Sequence, residues 1–244
     1  METKSVLITG AGRGIGCEIA RALAADGYQM ILIDKHFPDD FESTVELMTK
    51  ENIPHLILQV DVSKKDERAW LLSEIKQTFG SLYGIVNNAG IHNHTQFQNL
   101  TEDMFDTTLD INVKGAVFLT QEMLPLIKDT GSIVFISSAR AFIGSDHGVD
   151  YAVSKAGMIG ATRSLAVELS PRIRVNAIAP FSIDTPMIAG DDETERQERF
   201  DHILLDRIGT PQDVAHAVRY LLAEDSSYVT GQVIHVNGGA YFGG

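Results

Sequence analysis

SVLITGAGRGIG, residues 5–16, is the stretch of this sequence that decides the fold. Ser5–Thr9 is a short apolar run that ends in a cluster of glycines. Beyond the glycines, Ile15, Ile19 and Leu23 recur at steps of four, which is the spacing of a buried helical stripe. The stretch therefore predicts a strand, a tight turn and a helix, which is the first unit of an α/β sheet.

The glycines of this turn have a second physical reading. Gly10, Gly14 and Gly16 remove side chains where the backbone turns tightly and could approach a pyrophosphate. The N-terminus of the following helix offers free N–H groups and the positive end of the helix dipole. The turn is thus a candidate dinucleotide site, with a plain tight turn as the alternative.

The next predicted strand, Gln29 to Ile33, ends in Asp34. A carboxylate about 20 residues beyond the glycines can accept hydrogen bonds from the adenosine ribose and would repel the extra phosphate of NADP. The sequence therefore favours NAD as the cofactor. Arg13 and Lys35 could favour that phosphate, so NADP stays open, and a solvated charge cluster is the alternative for both residues.

Two further predicted strands end in polar residues at the same edge of the sheet. HLILQVDV ends in Asp61 and Val62, and Asp61 could accept a hydrogen bond from an adenine amino group or simply form a turn. The next strand breaks into NNAG, residues 87–90, where Ala89 and Gly90 would keep the path past a ribose free of side chains.

Tyr151 and Lys155 stand four residues apart in YAVSK, so they face one side of a predicted helix. An ammonium held close to a phenol favours the phenolate and brings its pKa toward neutrality. Ser138 ends the apolar run SIVFISS, which predicts a buried strand whose last residue reaches the same sheet edge. These three side chains predict acid–base chemistry on a substrate oxygen. A chance Tyr–Lys pair is the alternative.

His92 and His94 follow the NNAG turn. Two histidines in a loop could bind a metal, but no matching cysteine, aspartate or glutamate set stands beside them in the sequence. We expect loop residues that are exposed or face the substrate, and no metal.

The length allows one large domain or two small ones, but the repeated alternation of apolar strands with helical patterns, without a linker or an internal repeat, predicts one domain over residues 1–244. The net charge of −13 argues against nucleic acid as a partner. No apolar run is long enough for a membrane span and no signal region precedes the first strand, so we expect a cytoplasmic protein that does not bind membranes.

Taken together, these motifs resemble the short-chain dehydrogenase/reductase family from end to end. They are TGAGRGIG at 9–16, Asp61-Val62, NNAG at 87–90, Asn112, Ser138, Tyr151, Lys155 and YVTGQVIHVNGG at 228–239. The resemblance implies a doubly wound α/β Rossmann fold with a seven-stranded parallel sheet, helices on both faces, a substrate lid at about 187–207 and a homotetramer or homodimer.

The resemblance also implies site roles. Tyr151 would exchange the proton, Ser138 would orient the substrate oxygen, Lys155 would hold the nicotinamide ribose and lower the tyrosine pKa, and Asn112 would position a relay water. The implied cofactor-binding residues are Gly10, Arg13, Gly14, Ile15, Gly16, Asp34, Asp61, Val62, Asn88, Ala89, Gly90, Tyr151, Lys155, Pro180, Ile183 and Thr185.

The chain departs from the family pattern beside the predicted site. Phe181 follows Pro180 where the family usually has glycine, and Asp150 precedes the tyrosine where many relatives have a neutral residue. With Arg140 and His147, Asp150 suggests a polar rim and hence a polar substrate. The candidate substrate residues are His92, Arg140, His147 and Phe181.

The sequence therefore predicts an NAD-dependent oxidoreductase that moves a hydride between nicotinamide and a secondary alcohol or ketone of a small polar substrate, such as a sugar, a polyol or a hydroxy acid. A second hypothesis is an NADPH-dependent 3-oxoacyl-carrier-protein reductase, which the C-terminal half resembles most. A third is a non-catalytic nucleotide-binding sensor or scaffold.

Overall fold

Seven parallel strands form one sheet in the order 3-2-1-4-5-6-7. The computed structural model describes residues 4–187, 197 and 200–242. The strands are β1 Ser5–Thr9, β2 Gln29–Asp34, β3 His55–Gln59, β4 Gly84–Asn87, β5 Gly131–Ile136, β6 Ile173–Pro180 and β7 Val233–Val236. The predicted seven-stranded parallel sheet is confirmed.

Helices cover both faces of this sheet. Within the described part of the chain they are α1 Gly14–Ala25, α2 Glu42–Lys50, α3 Lys65–Thr78, α4 Glu102–Leu109, α5 Ala116–Met123, α6 Arg140–Ile143, α7 Val149–Leu169 and α8 Pro211–Leu222. One apolar core contains residues of α1, α2 and α8, and the other contains residues of α3, α5 and α7. The strands can be near-continuously apolar because both of their faces are covered.

The order of the strands reverses at β1, which pairs with β2 on one side and β4 on the other. Connections from these strands leave in opposite directions at such a point, so a crevice opens beyond their carboxyl ends. The glycine turn after β1, Asp34 at the end of β2 and the NNAG turn after β4 all border this crevice.

Helix α1 can approach β1 closely because of one glycine. A Cβ atom on Gly16 would overlap the carbonyl oxygen of Gly10 and lie 2.6 Å from Nδ2 of Asn88. Only glycine leaves room for the helix to begin directly beneath the turn, which places its N-terminus at the crevice.

The helical segment around Asn112 is not continuous. A π-helical turn, Asp110–Gly115, separates α4 from α5. Such turns redirect a helix and occur frequently at functional sites. Asn112 lies within this turn and is buried.

Two expectations meet the limits of the described residues. The substrate lid expected at 187–207 lies largely outside them, since 188–196, 198 and 199 are not described. Within the described part, no helix is both long and apolar enough to pass through a bilayer.

Replacing Gly16 by alanine should destabilise the protein, because the added methyl group forces α1 away from β1. We expect Gly16→Ala to lower the free energy of unfolding by about 1–3 kcal/mol in chemical denaturation. Gln77→Ala is the control, because Gln77 is exposed in the last turn of α3. It should change the free energy of unfolding by less than about 0.5 kcal/mol. Equal stability of the two variants would contradict the close packing of α1.

Candidate active site

A cavity of about 540 Å³ occupies the crevice at the carboxyl ends of β1, β2 and β4. This volume is within the range of small-molecule sites. Eleven of the predicted cofactor residues line it: Gly10, Arg13, Gly14, Ile15, Asp34, Asp61, Val62, Asn88, Ala89, Gly90 and Thr185. The other five do not line it: Gly16, Tyr151, Lys155 and Pro180 line neither cavity, and Ile183 lines a second cavity of about 450 Å³.

Asn88 fixes the glycine turn to the NNAG turn. Its Nδ2 donates to the carbonyl oxygens of Thr9 at 3.0 Å and Gly10 at 2.9 Å. The Thr9 hydroxyl accepts from the backbone N–H groups of Asn88 and Ala89. Gly10 has φ of 64°, in the left-handed region that glycine adopts without strain. Sequence reasoning missed Thr9, whose only signal was a hydroxyl at the end of an apolar strand.

Asp34 is held by backbone groups at the rim of the cavity. Its Oδ2 accepts from the N–H of Gly12 at 2.9 Å, and its Oδ1 accepts from the N–H of His36 at 3.2 Å. These bonds orient a carboxylate at the place where the sequence predicts the adenosine ribose. The remaining lone pairs of both oxygens can accept hydroxyl groups.

Lys35 does not offset the charge of Asp34, because it pairs with Asp61 instead. Its Nζ lies 2.9 Å from Oδ2 of Asp61. The other oxygen of Asp61 accepts from the N–H and the hydroxyl of Ser63. Burial alone would raise the pKa of Asp61, but the bonds from Ser63 and Lys35 lower it. Asp61 is thus a turn-forming residue that also lines the cavity.

Tyr151, Lys155 and Ser138 meet beside this cavity. Tyr151 and Lys155 lie in α7, where the lysine Nζ is 5.5 Å from the centre of the phenol ring. Ser138 lies two residues beyond β5, and its hydroxyl is close enough to the Tyr151 phenol to lower the pKa of that group. All three side chains are buried, with 8%, 3% and 7% of their surfaces exposed. Water is therefore largely excluded from the groups predicted to handle the proton.

Burial dominates the acid–base behaviour of this pair. It raises the pKa of Tyr151, against smaller lowering effects of the Ser138 hydroxyl and the Arg140 charge. It lowers the pKa of Lys155 to about 8. The lysine Nζ donates to the carbonyl oxygen of Ile136 at 2.8 Å. The lowering of the tyrosine pKa by Lys155 that the sequence predicts is not seen, because the ammonium faces this carbonyl and both groups are desolvated.

Asn112 is fully buried next to these groups. Its Oδ1 accepts from the N–H of Ile91 at 2.8 Å, and its Nδ2 donates to the carbonyl of Ile91 and to the Ser154 hydroxyl. These three hydrogen bonds fix the side chain of Asn112 within the π turn. Sequence reasoning missed Ser154, which lies one helical turn from Tyr151 and donates to the tyrosine carbonyl.

Gly90 must lack a side chain for the same groups to meet. A Cβ atom there would lie 3.2 Å from Oδ1 of Asn112 and 3.3 Å from Nζ of Lys155. The glycine therefore keeps the path past Lys155 clear, as the sequence suggests for the NNAG turn.

The candidate substrate residues separate into two groups. His92 stacks on the Tyr151 ring, with 4.4 Å between ring centroids, and His147 lies 5.6 Å from His92. The charge of Arg140 is near enough to lower the pKa of Tyr151, and the backbone N–H of Arg140 donates to the Ser138 hydroxyl. Phe181 lines neither cavity.

Burial lowers the pKa of His92 to about 4, and the neighbouring His94 and His147 add to the effect.

Asp150 is not part of a polar rim, and that expectation is wrong. The residue is fully buried, and its Oδ2 accepts from the Thr108 hydroxyl at 2.6 Å and from Nδ2 of Asn93 at 3.4 Å. A carboxylate in the first turn of α7 is stabilised by the helix dipole, which explains how it is accommodated inside.

These residues fit a bound nicotinamide dinucleotide. The left-handed Gly10 and the closely packed α1 bring backbone N–H groups to one end of the cavity, where a pyrophosphate binds in such folds. The Asp34 carboxylate lines the same cavity. Gly90 lines this cavity as well and lies next to Lys155. The site thus combines a cavity that a dinucleotide fits with a buried phenol beside it.

Known proteins match the chain over almost its full length. The family described as enoyl-(acyl carrier protein) reductase matches residues 10–241. A 3-oxoacyl-(acyl-carrier-protein) reductase of Staphylococcus aureus is 36% identical over 242 residues, covering 98% of each chain. The reductase of the same name from Aggregatibacter actinomycetemcomitans is 39% identical, covering 97% of this chain and 99% of its own. A short-chain dehydrogenase/reductase from Brucella melitensis, named glucose/ribitol dehydrogenase, superposes with a TM-score of 0.91 at 29% identity, covering 98% of this chain and 97% of its own.

The buried lysine should make stability depend on pH. Its folded-state pKa of about 8 lies below the ordinary 10.5, so between these values the unfolded chain binds a proton that the folded chain does not. The free energy of unfolding should therefore rise by about 2 kcal/mol from pH 8 to pH 10 through this group, relative to Lys155→Met. Chemical denaturation at several pH values measures the difference.

The matched control is Lys114→Met, since Lys114 is exposed on the π turn. It should follow the pH profile of the wild type. Parallel profiles of wild type and Lys155→Met would show that Lys155 is not desolvated as described.

Proposed function

We propose that this chain, which belongs to the short-chain dehydrogenase/reductase family, reduces the 3-oxo group of an acyl thioester with NADH. Family membership makes the chain an oxidoreductase acting on CH–OH and keto groups, with NAD or NADP as its cofactor. The non-catalytic alternative is thereby set aside. The observation that carries the reaction type is the burial of Ser138 and Tyr151 near one another beside the cavity, where His92 both lines the cavity and stacks on the Tyr151 ring.

In the proposed mechanism, the chain positions a carbonyl and supplies a proton. The bound nicotinamide supplies the hydride. Tyr151 donates its proton to the oxygen that gains negative charge, and the Ser138 hydroxyl hydrogen-bonds the same oxygen. A phenol with a raised pKa is fully protonated at neutral pH, so it is ready to act as the acid in the reductive direction.

Lys155 and Asn112 would act through their positions. Lys155 is the cation that would hold the nicotinamide ribose, with its Nζ anchored on the carbonyl oxygen of Ile136. Asn112, locked to Ile91 and Ser154, would hold the π turn in place so that a backbone carbonyl can bind a relay water. Both roles need a dry, rigid surrounding, which the burial of these residues supports.

Asp34 supports NADH over NADPH. Its two oxygens are oriented by backbone N–H groups, and Lys35 is paired with Asp61. A 2′-phosphate beside this carboxylate would meet a like charge, which costs about 1–4 kcal/mol at 4 Å. Among the described residues that line the cavity, Arg13 is the remaining arginine or lysine that could favour a phosphate.

The relatives support the thioester better than the small polar substrate that the sequence favours. Two of them, at 36% and 39% identity over nearly the whole chain, are named 3-oxoacyl-(acyl-carrier-protein) reductases. The net charge of −13 disfavours electrostatic steering toward an acidic carrier protein. We therefore propose the 3-oxoacyl thioester itself as the recognised group, whatever carries it.

Oxidation of a sugar or polyol is the second candidate. The name of the Brucella melitensis relative, glucose/ribitol dehydrogenase, favours it. The histidine-rich surface beside Tyr151 supports it as well, because imidazole nitrogens can hydrogen-bond several hydroxyl groups.

We also propose a homotetramer that uses α5 and α7. Phe118, Val153 and Val167 on these helices have 41%, 45% and 83% of their surfaces exposed. Large exposed apolar residues on adjacent elements are typical of subunit contacts.

Tyr151→Phe tests the proton step. With NADH and an acetoacetyl thioester, we expect kcat to fall by about 10²–10⁴-fold, because the ring remains but the proton donor is lost. NADH binding, followed by nicotinamide fluorescence, should be unchanged. Tyr220→Phe, on the exposed side of α8, is the control and should retain full activity. Turnover of polyols with NAD and none of the thioester would instead favour the second candidate.

Asp34→Asn tests the choice of cofactor. Wild type should bind NADH more tightly than NADPH in paired titrations. Removing the charge while keeping the shape should improve binding of NADPH relative to NADH by at least about tenfold, since 1.4 kcal/mol of repulsion corresponds to that factor. Asp40→Asn, an exposed acid, should leave the ratio unchanged. Tighter binding of NADPH by the wild type would mean that Arg13 outweighs Asp34.

A further inference from the structure

Three histidine side chains from two separate loops meet beside Tyr151. Ring nitrogens of His92, His94 and His147 all lie within 4.8 Å of one another. The centroid of the His94 ring lies 3.9 Å from that of the His92 ring and 5.0 Å from that of the His147 ring. The third histidine is the partner that the sequence did not reveal for the first two.

We propose that His92, His94 and His147 form a binding site for a borderline divalent cation, with Zn²⁺ as the best match. Imidazole nitrogens suit zinc, copper and nickel, whereas magnesium and calcium prefer oxygen ligands. Three histidines are a known protein ligand set for zinc, and they leave the fourth position of the tetrahedron open to water or to a substrate oxygen. The expectation of a site without metal is thus revised by our own proposal.

Asp146 supplies a carboxylate that can hold one of the three histidines by a hydrogen bond, as carboxylates do in many zinc sites. Its Oδ1 lies 2.9 Å from Nδ1 of His147. Metal-binding histidines usually donate their second ring N–H to a carboxylate or carbonyl, which fixes the tautomer and increases the basicity of the other nitrogen. With Nδ1–H directed to Asp146, the lone pair on Nε2 of His147 is the one available for a metal.

His92 carries an unsatisfied polar atom in the same cluster. Its Nε2 is buried, and although the backbone of His147 is close, no hydrogen bond of normal geometry satisfies it. A buried polar atom without a partner costs about 1–3 kcal/mol and is uncommon. Gly148 makes room for this ring, since a Cβ atom there would overlap Nε2. A bound cation would provide the missing partner.

The backbone at His94 is also unusual. Its φ of 49° lies in the left-handed region, which non-glycine residues seldom adopt. Such conformations concentrate at ligand-binding positions, where the surroundings hold the residue in place. Here the conformation keeps the His94 ring against that of His92.

The size of the cluster is compatible with zinc after a small movement. Zn–N bonds of about 2.0–2.1 Å place tetrahedral ligand nitrogens about 3.3 Å apart. The nitrogens must therefore approach one another by up to about 1.5 Å from the widest separation. Rotation of the exposed His94 side chain can supply this movement without a change in the fold.

Metal binding can be measured without any enzyme turnover, so the outcome of this test does not depend on whether the proposed function is correct. The full chain is stripped with a chelator, and Zn²⁺ binding is measured by equilibrium dialysis with metal analysis. We expect one zinc ion per chain. With Co²⁺ in place of zinc, the visible absorption should show the intense bands of a tetrahedral nitrogen site.

Single variants identify the ligands. His94→Gln and His147→Gln should each abolish the cobalt bands and the one-to-one zinc binding. Asp146→Asn should weaken zinc binding by about 10–100-fold, as the loss of an outer contact does. His216→Gln, which removes an exposed histidine of α8, is the matched control and should bind zinc like the wild type.

Circular dichroism and NADH titration verify that each variant is folded. Absence of zinc binding by the wild type would overturn the proposal, and the three rings would then form a ring stack only. Equal zinc binding by wild type and His94→Gln would also overturn it, since the metal would then lie elsewhere on the surface.

Discussion

Strand β1 is hydrogen-bonded to β2 on one side and to β4 on the other, and the crevice that forms the cofactor cavity follows from this pairing. Leu7 is in register with Ile31 of β2 and Ile85 of β4. Because all strands are parallel, their carboxyl ends meet at one edge. The glycine turn, Asp34 and the NNAG turn thus become neighbours although the chain separates them widely.

The site requires several polar groups to be buried within this scaffold. Asn112 is fully buried, and Lys155 is nearly so. Their hydrogen bonds to Ile91, Ser154 and Ile136 offset part of the desolvation cost. The shifted pKa values of Lys155 and Tyr151 express the remainder. Stability is given up here so that two titratable groups are held in a dry, fixed arrangement.

The histidine cluster gives the site a chemical character that the proton-transferring residues do not require. A cation at His92, His94 and His147 would lie beside the phenol ring that His92 stacks upon. Its open ligand position could hold a second oxygen of a substrate, which both a 3-oxoacyl thioester and a polyol possess. Metal binding and the choice of substrate would therefore be physically connected at this surface.

Local pattern in the sequence determined the elements and the sheet. The apolar run of β1, the glycines after it and the helical stripe of α1 each specify their own backbone, and the resemblance added the strand count. The grouping of Gly10, Asp34 and Asn88 around one cavity was also predictable, because parallel strands bring such residues to one edge.

Only the tertiary structure decided which of these groups touch and which are buried. Asp150 turned inward to Thr108, Lys35 paired with Asp61, and His147 joined His92 and His94. These outcomes depend on contacts between residues far apart in the chain and on the direction of side chains in loops. The helical or strand periodicity of a sequence specifies neither. The same reason explains why the sequence predicted that Tyr151 and Lys155 lie together, but not the desolvation that sets their pKa values.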